Sequence, residues 1–141
     1  MGENKYLGVD MEKTLVLIKP DAVERNLIGK IISMYEEKGL KVSALKMVHA
    51  DAQISRKHYE EHVGRPYFER LMTYITRSPL VAMVLTGENA IALVREINGK
   101  TNPPEAAEGT IRALFGIDNT LNSVHASDST ENAEHEISIW F

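Results

Sequence analysis

The chain has 141 residues, of which 43% are apolar, and a net charge of −4 from 16 basic and 20 acidic side chains. This length suits one domain with a substantial core, and the acidic balance argues against nucleic acid as the main partner. The absence of cysteine excludes disulfides, thiolate nucleophiles and zinc–thiolate sites, and it fits a reducing cytoplasm, which is the location we expect.

Residues 1–10 hold charged side chains and no apolar block, so they do not predict a secretory signal. We expect a flexible N-terminal extension or a cloning remnant there, and one domain over residues 11–141. The longest unbroken apolar run, Leu80–Leu85, is six residues long and is too short to span a membrane.

Hydrophobic periodicity predicts alternating strands and helices along the chain. Three apolar or alternating stretches predict strands: Thr14–Ile18, Leu40–Val48 and Leu80–Thr86. Five stretches predict helices: Ile28–Tyr35, Ser55–His62, a segment with Pro66 in its first turn, Ala90–Ile97 and Thr130–Glu136. Lys19 and Pro20 begin a turn after the first strand, because proline cannot continue a strand ladder. The closing residues, Ile137–Phe141, alternate and predict a last strand or a docked tail.

A short polar segment near the end of the chain carries the strongest chemical signal. His125 lies three residues after Asn122 and just ahead of Ser127 and Asp128. A neutral imidazole is a competent nucleophile near pH 7, because its unperturbed pKa is about 6.5. Attack on phosphorus would give a phosphohistidine and divide a transfer into two half-reactions. The alternative is structural, since Ser127 or Asp128 could simply cap the helix that follows.

Two histidines and one tyrosine upstream leave alternatives open. His58 and His62 have the i, i+4 spacing of metal ligands, but with no third ligand evident we expect two exposed helix residues. Tyr67 lies at the edge of an apolar stripe, where spacing favours a half-buried core residue over a platform for a flat ligand.

Four cations fall off the apolar stripes, each near the end of an element: Lys19, Arg65, Arg95 and Arg112. If they converge with Thr101, Asn122 and His125, they form a locally positive pocket in an acidic protein. Such a pocket suits a nucleoside polyphosphate, because arginine makes directional bonds to phosphate oxygens. The chain lacks the glycine-rich phosphate loops of P-loop and dinucleotide-binding proteins and the catalytic loop of protein kinases. Phosphate chemistry would therefore depend on side-chain cations and a metal ion.

From about Glu12 to Phe141 the chain resembles nucleoside diphosphate kinase. Seven short segments carry the resemblance: Thr14–Val23, His58–Tyr59, Arg65–Phe68, Thr101–Pro103, Gly109–Arg112, Asn122–Ser129 and Glu136–Phe141. The resemblance implies a single α+β domain of the ferredoxin-like βαββαβ type, an antiparallel sheet with helices packed on it. The alternation of strands and helices by itself would instead suggest a parallel, doubly wound sheet.

The resemblance also implies ping-pong transfer of the γ-phosphoryl group from a nucleoside triphosphate, typically ATP, to a nucleoside diphosphate. His125 would be the nucleophile, and Glu136 would orient it with Ser127 beside it. Lys19 would reach the transferred phosphate and the ribose 3′ hydroxyl, and Tyr59 would line the phosphate end. The other implied nucleotide contacts are Arg95, Thr101 and Arg112 for the phosphates, Asn122 for the sugar, and Tyr67 and Leu71 for the base. Mg²⁺ would arrive on the nucleotide phosphates rather than in a protein cage, and the protein would be a homo-oligomer, with a hexamer favoured over a tetramer.

Three positions depart from the commonest form of the family. Tyr67 stands where phenylalanine is usual, Asn119 where an apolar residue usually touches the base, and Ala126 where glycine is frequent. A side chain at position 126 requires ordinary backbone angles. Two alternative functions remain. The implied ribose and base contacts argue against a histidine phosphorelay protein, and His125 argues against a non-catalytic module that binds nucleotide or nucleic acid.

Overall fold

The computed structural model describes residues 11–141, so the extension predicted for residues 1–10 lies outside the described residues. The described part of the chain forms four strands: β1 (Met11–Ile18), β2 (Lys41–Val48), β3 (Leu80–Glu88) and β4 (Val124–Ala126). It also forms seven α-helices: α1 (Pro20–Glu24), α2 (Ile28–Glu37), α3 (Ala52–His58), α4 (Phe68–Thr76), α5 (Ala90–Asn98), α6 (Ile111–Phe115) and α7 (Thr130–Trp140). Over this range, no helix has both the length and the apolar character needed to cross a bilayer.

The strands form one sheet in the order β2-β3-β1-β4, and every neighbouring pair is antiparallel. Strand β1 lies inside the sheet, where Leu17 pairs with Ala82 of β3 on one side and with His125 of β4 on the other. Strands β1 and β2 run in the same direction, but β3 lies between them and runs against both. The fold is therefore the ferredoxin-like α+β fold that the resemblance implies, and the parallel sheet suggested by alternation alone is not formed.

Burial of both sheet faces explains the continuous apolar run of β1. Val16 and Ile18 belong to a core that includes residues of α2 and α5, whereas Leu15 and Leu17 belong to a second core that includes residues of α4 and α7. Successive side chains of a strand point to opposite faces, so a strand covered on both sides is apolar at every position. The residue that follows this strand, Lys19, lies beside β4 because its main-chain N–H donates to Ser123 O over 2.9 Å.

Two predicted helix boundaries are wrong around the turn before α4. The predicted helix Ser55–His62 is divided into α3 and a separate 3₁₀ turn, Glu60–His62. Gly64 then takes a left-handed backbone conformation, with φ +87°, which ends this turn and leads to α4. Helix α4 begins at Phe68, so Pro66 precedes the helix instead of lying in its first turn.

Of the two alternatives predicted for residues 137–141, the closing strand is wrong, because α7 continues to Trp140. The docked tail is confirmed in helical form, since Trp140 is 1% exposed and belongs to the second core. Its buried residues, Ala133 and Trp140, are seven positions apart, which is the spacing of one helix face. Ile137 and Ile139 are two positions apart, which is the spacing of one strand face, and this alternation suggests a strand. Both residues nevertheless pack against the second core from α7.

Candidate active site

Strand β4 places His125 at the edge of the sheet. The sequence predicts a polar loop here, but residues 124–126 pair with β1, and Leu17 stands opposite His125. Just before the strand, Ser123 has φ +77°, an uncommon angle for a residue with a Cβ, and the chain turns there. Ala126 lies within β4 and is not among the residues with positive φ, so its Cβ fits without strain. The backbone on both sides of the imidazole is thus held by β1.

His125 is hydrogen-bonded to an acid from α7. His125 Nε2 lies 2.8 Å from Glu136 Oε1, and the buried Ser127 donates its hydroxyl to the same oxygen over 2.8 Å. A carboxylate oxygen only accepts hydrogen bonds, so Nε2 carries the proton and Nδ1 is the ring nitrogen with a free lone pair. The His125 side chain is 25% exposed. A ligand can therefore reach an imidazole whose tautomer and orientation are already set.

The capping interpretation of Ser127 and Asp128 is wrong by one or two residues. Helix α7 is capped by Ser129, whose Oγ accepts from the main-chain N–H of Asn132 over 3.1 Å. The hydroxyl of Ser127 is used on Glu136, and Asp128 accepts from the side-chain amide of Asn132 over 2.5 Å. This amide bond lowers the pKa of Asp128, which lines the site as a carboxylate.

The expectation that His58 and His62 are two exposed helix residues is wrong, because His58 is buried and His62 is half-buried in the 3₁₀ turn. His58 belongs to the site although no role was predicted for it. His58 is only 9% exposed, and its ring centroid lies 4.5 Å from that of His125, with the ring planes at 80°. Trp140 Nε1–H donates to His58 Nδ1 over 3.1 Å, so the neutral ring carries its proton on Nε2. Burial, followed by the charge of His125, lowers the pKa of His58 well below its usual range. His58 is therefore a neutral ring packed behind His125. The His58–Tyr59 pair in the sequence was the available signal.

The donor atoms of His58, His125 and Glu136 lie within 4.8 Å of one another, which raises the question of a metal site. Metal ligation needs lone pairs, but the Trp140 bond leaves the His58 proton on Nε2, and the Glu136 bond places a proton on His125 Nε2. Two imidazoles and one carboxylate also do not suit Mg²⁺, which prefers oxygen ligands. The donor chemistry of this triplet thus does not fit a resident magnesium ion, and His62 is not part of the triplet.

Lys19 and Asn122 join three segments of the chain at one point. Lys19 Nζ donates to Asn122 Oδ1 over 2.9 Å, and Asn122 Nδ2 donates to the main-chain oxygens of Thr101 over 3.1 Å and Asn119 over 3.0 Å. Lys19 is 7% exposed, and this burial, followed by the charge of Arg112, lowers the pKa of Lys19 to about 8. The ammonium is held in a fixed position beside the histidine strand.

Two arginines add positive charge near His125. Arg112 donates from Nη1 to Gly99 O over 2.8 Å and from Nη2 to Val124 O over 2.7 Å, so the ends of α5 and β4 orient its guanidinium. Each terminal nitrogen keeps a second N–H for a ligand. Burial lowers the pKa of Arg112, but a guanidinium stays charged at neutral pH. Arg95 is exposed on α5 and forms no ion pair with a residue in the described range.

A cleft of about 1480 Å³ brings most of the predicted site residues together. Ten of them line it: Lys19, Tyr59, Tyr67, Leu71, Arg95, Thr101, Arg112, Asn122, His125 and Glu136. Ser127 lies behind Glu136, and Arg65 does not line the cleft, so this cation does not converge with the other three. Tyr59 is buried and its hydroxyl has no partner among the described residues, which leaves a polar atom for a ligand. Three cations, a histidine and aromatic surface in one cleft can bind a nucleotide and offer its phosphates a nucleophile.

Comparison with known proteins identifies one family over nearly the whole chain. The family model described as nucleoside diphosphate kinase matches residues 12–141. A nucleoside diphosphate kinase of Clostridium perfringens is 58% identical to this chain, and the match covers 93% of this chain and 92% of the relative. A nucleoside diphosphate kinase of Pyrococcus furiosus is 53% identical, and the match covers 94% of this chain and 84% of the relative. The crystal structure of the Aquifex aeolicus nucleoside diphosphate kinase superposes with a TM-score of 0.91 at 42% identity, covering 94% of this chain and 96% of that one. The chain belongs to the nucleoside diphosphate kinase family and is a kinase that acts on nucleotides.

Proposed function

We propose that the protein transfers the γ-phosphoryl group of a nucleoside triphosphate, typically ATP, to a nucleoside diphosphate through a phosphohistidine on His125. The single observation that carries this proposal is the pair formed by His125 Nε2 and Glu136 Oε1 at 2.8 Å in the cleft. Because this bond occupies Nε2, Nδ1 is the only ring nitrogen of this accessible imidazole whose lone pair can attack phosphorus.

In the first half-reaction, Nδ1 of His125 attacks the γ-phosphorus, and the bond to the oxygen that bridges to the β-phosphorus breaks. The nucleoside diphosphate leaves with that electron pair, and the imidazole keeps its proton on Nε2. The ring becomes positively charged as the N–P bond forms, and Glu136 balances this charge. In the second half-reaction, a β-phosphate oxygen of another diphosphate attacks the same phosphorus, and Nδ1 recovers its lone pair. The same site thus serves both half-reactions.

The cations supply what phosphoryl transfer mainly requires, which is positioning and neutralisation of the phosphate oxygens. Lys19 is proposed to bind the transferred phosphate and the ribose 3′ hydroxyl, with the Tyr59 hydroxyl at the same end. The remaining nucleotide contacts are proposed as Arg95, Thr101 and Arg112 for the phosphates, Asn122 for the sugar, and Tyr67 and Leu71 for the base. Mg²⁺ is proposed to enter as part of the substrate, on the nucleotide phosphates.

We also propose that the protein is a cytoplasmic homo-oligomer, a hexamer rather than a tetramer, with no major role in nucleic-acid binding. Large apolar side chains on the outer strand β2 support self-association, since Leu45 is 50% and Met47 55% exposed. Sedimentation velocity measures the subunit number directly, and a monomer at micromolar concentration would contradict this proposal.

The transfer itself is tested with γ-labelled ATP and Mg²⁺, followed by GDP. We expect an acid-labile, alkali-stable phosphoprotein that GDP discharges with formation of labelled GTP. A nucleotide-binding module would never take up label, and a histidine phosphorelay protein would keep its label in the presence of GDP. Either of these results would contradict the proposed function.

A further inference from the structure

The tyrosine proposed to carry the base is hydrogen-bonded to a histidine that the proposed mechanism does not use. His62 Nδ1 lies 2.7 Å from the hydroxyl of Tyr67, and the two ring centroids are 5.5 Å apart with the planes at 61°. Both residues line the same cleft as His125, and Tyr67 is 46% exposed. The hydroxyl that distinguishes tyrosine from phenylalanine at this position therefore has a definite partner.

The backbone between the two residues places them together but does not by itself hold the tyrosine ring. His62 ends the 3₁₀ turn, and its carbonyl accepts from Arg65 N over 3.0 Å across the left-handed Gly64. The ring of Tyr67 is almost half exposed, so its neighbours in the core do not fix it. The bond to His62 is the one side-chain hydrogen bond on Tyr67 among the described residues.

His62 is itself supported from the interior. Its ring packs edge-on against Tyr59, with centroids 6.0 Å apart, and Tyr59 is buried and packs against His58 with centroids 4.8 Å apart. A chain of rings thus extends from the His125 neighbourhood to the exposed Tyr67. Because its inner members are buried, they provide a fixed point from which His62 can hold the outer ring.

We infer that the hydrogen bond between His62 and Tyr67 holds the tyrosine ring in the orientation on which the nucleotide base stacks, so that His62 is a positioning residue for the base. This inference rests on the proposed function, because it takes Tyr67 as the base platform. Without the bond, the tyrosine ring would lose rotamer freedom when the base binds, and this loss of entropy would oppose binding. With the bond, the ring is oriented before the base arrives, so this cost is avoided. A purine offers a larger stacking face than a pyrimidine, so the bond favours purine nucleotides.

The test measures binding of GDP and CDP to the unphosphorylated protein by titration calorimetry, since binding does not depend on phosphoryl transfer. Tyr67→Phe removes one oxygen atom and His62→Ala removes its partner. We expect each variant to weaken GDP binding by about threefold to tenfold, and CDP binding by less, with the double variant no weaker than either single one. His62→Asn keeps a polar atom near the position of Nδ1 and is expected to restore binding to within about twofold. His135→Ala, an exposed histidine on α7 outside the cleft, is the matched control.

Labelling of the same variants with ATP separates this inference from the proposed function. Unchanged GDP binding in both single variants, or additive losses in the double variant, would overturn the role of His62 even if labelling is normal. If the wild type binds GDP but takes up no label, the proposed function fails, and the binding data still decide the role of His62. If the wild type binds no nucleotide, both proposals fall. Tyr67→Phe deletes only an exposed hydroxyl, so the test does not depend on whether His62→Ala folds.

Discussion

The two ends of the cleft are built in opposite ways. At the end where the phosphates are proposed to bind (the phosphate end), Lys19 and Asn122 are almost fully buried, and His125, Glu136 and Ser127 form one hydrogen-bonded group. At the end where the base is proposed to bind (the base end), Tyr67 is 46% exposed and Asn119 is exposed as well. Transfer of a charged group benefits from dipoles and cations that do not reorganise, whereas stacking accepts any flat ring. The cleft therefore has fixed, hydrogen-bonded groups where phosphoryl transfer is proposed and an open surface where the base is proposed to lie.

The two ends also differ in how the chain supplies them. The phosphate end combines residues that follow or belong to β1, β4, α6 and α7, which meet only in the folded protein. The histidine and tyrosine of the base end, His62 and Tyr67, are five residues apart in one segment. Substitutions at the phosphate end should therefore change the rate of transfer, whereas substitutions at the base end should change mainly nucleotide affinity.

The largest expected effect is that of His125→Ala, which removes the nucleophile. We expect no phosphoenzyme and no detectable transfer, with nucleotide binding largely unchanged because the cations remain. Labelling with γ-labelled ATP measures the first effect, and calorimetry with ADP measures the second. Retained turnover in this variant would remove the proposed mechanism.

The second largest effect is expected for Glu136→Gln, which keeps the shape of the side chain but removes the negative charge proposed to balance the phosphorylated ring. We expect kcat to fall about a hundredfold, with a much smaller change in KM. Glu134→Gln on the same helix is exposed and serves as the control. Equal activity of the two variants would show that the hydrogen bond seen at 2.8 Å is structural only.

Arg112→Ala should lower kcat/KM by about tenfold to a hundredfold, through weaker binding and slower transfer, because a charge-assisted bond to phosphate is lost. Arg112 also holds the carbonyls of Gly99 and Val124, so the melting temperature is measured in parallel. Arg56→Ala, which removes an arginine outside the cleft, is the control. Unchanged kinetics in Arg112→Ala would mean that the phosphates bind elsewhere.

The pH dependence of kcat/KM tests the charge on Lys19. The pKa of Lys19 is lowered to about 8, so the side chain is mostly charged at pH 7 and loses its proton as the pH rises through 8. We expect kcat/KM to fall above pH 8 in the wild type, because this parameter reports the free enzyme. In Lys19→Arg the cation persists, so this decline should be absent. A decline that is the same in both proteins would assign it to another group.

The smallest expected effect is that of Asn119→Leu, which places an apolar side chain at the exposed base end. We expect KM for nucleotides to change by less than about threefold and kcat to stay the same, because the site is open to solvent. Steady-state kinetics with GDP and CDP as acceptors measure both parameters. A large change in kcat would contradict the division of the cleft into a rigid phosphate end and an open base end.

Several strands and helices, the family and the cleft can be predicted from the sequence. The apolar runs of β1 and β3 and the helical periodicity of α2 and α5 predict those elements, because burial on a regular element leaves a regular trace in the chain. The short motifs around Lys19, Arg112 and His125 indicate both the family and a phosphate-binding cleft. These features depend on residues close in sequence or on a resemblance that extends over nearly the whole chain.

Other features were decided only by the tertiary structure. Whether His58 is exposed depends on Trp140, which is 82 positions away and reaches it because α7 packs beside α3. Arg65 does not line the cleft, and Tyr67 is hydrogen-bonded to His62 across the turn that contains Gly64. A side chain's own spacing predicts the element that carries it, but its burial and its partners are set by elements distant in sequence, and those are fixed only when the sheet and helices pack together.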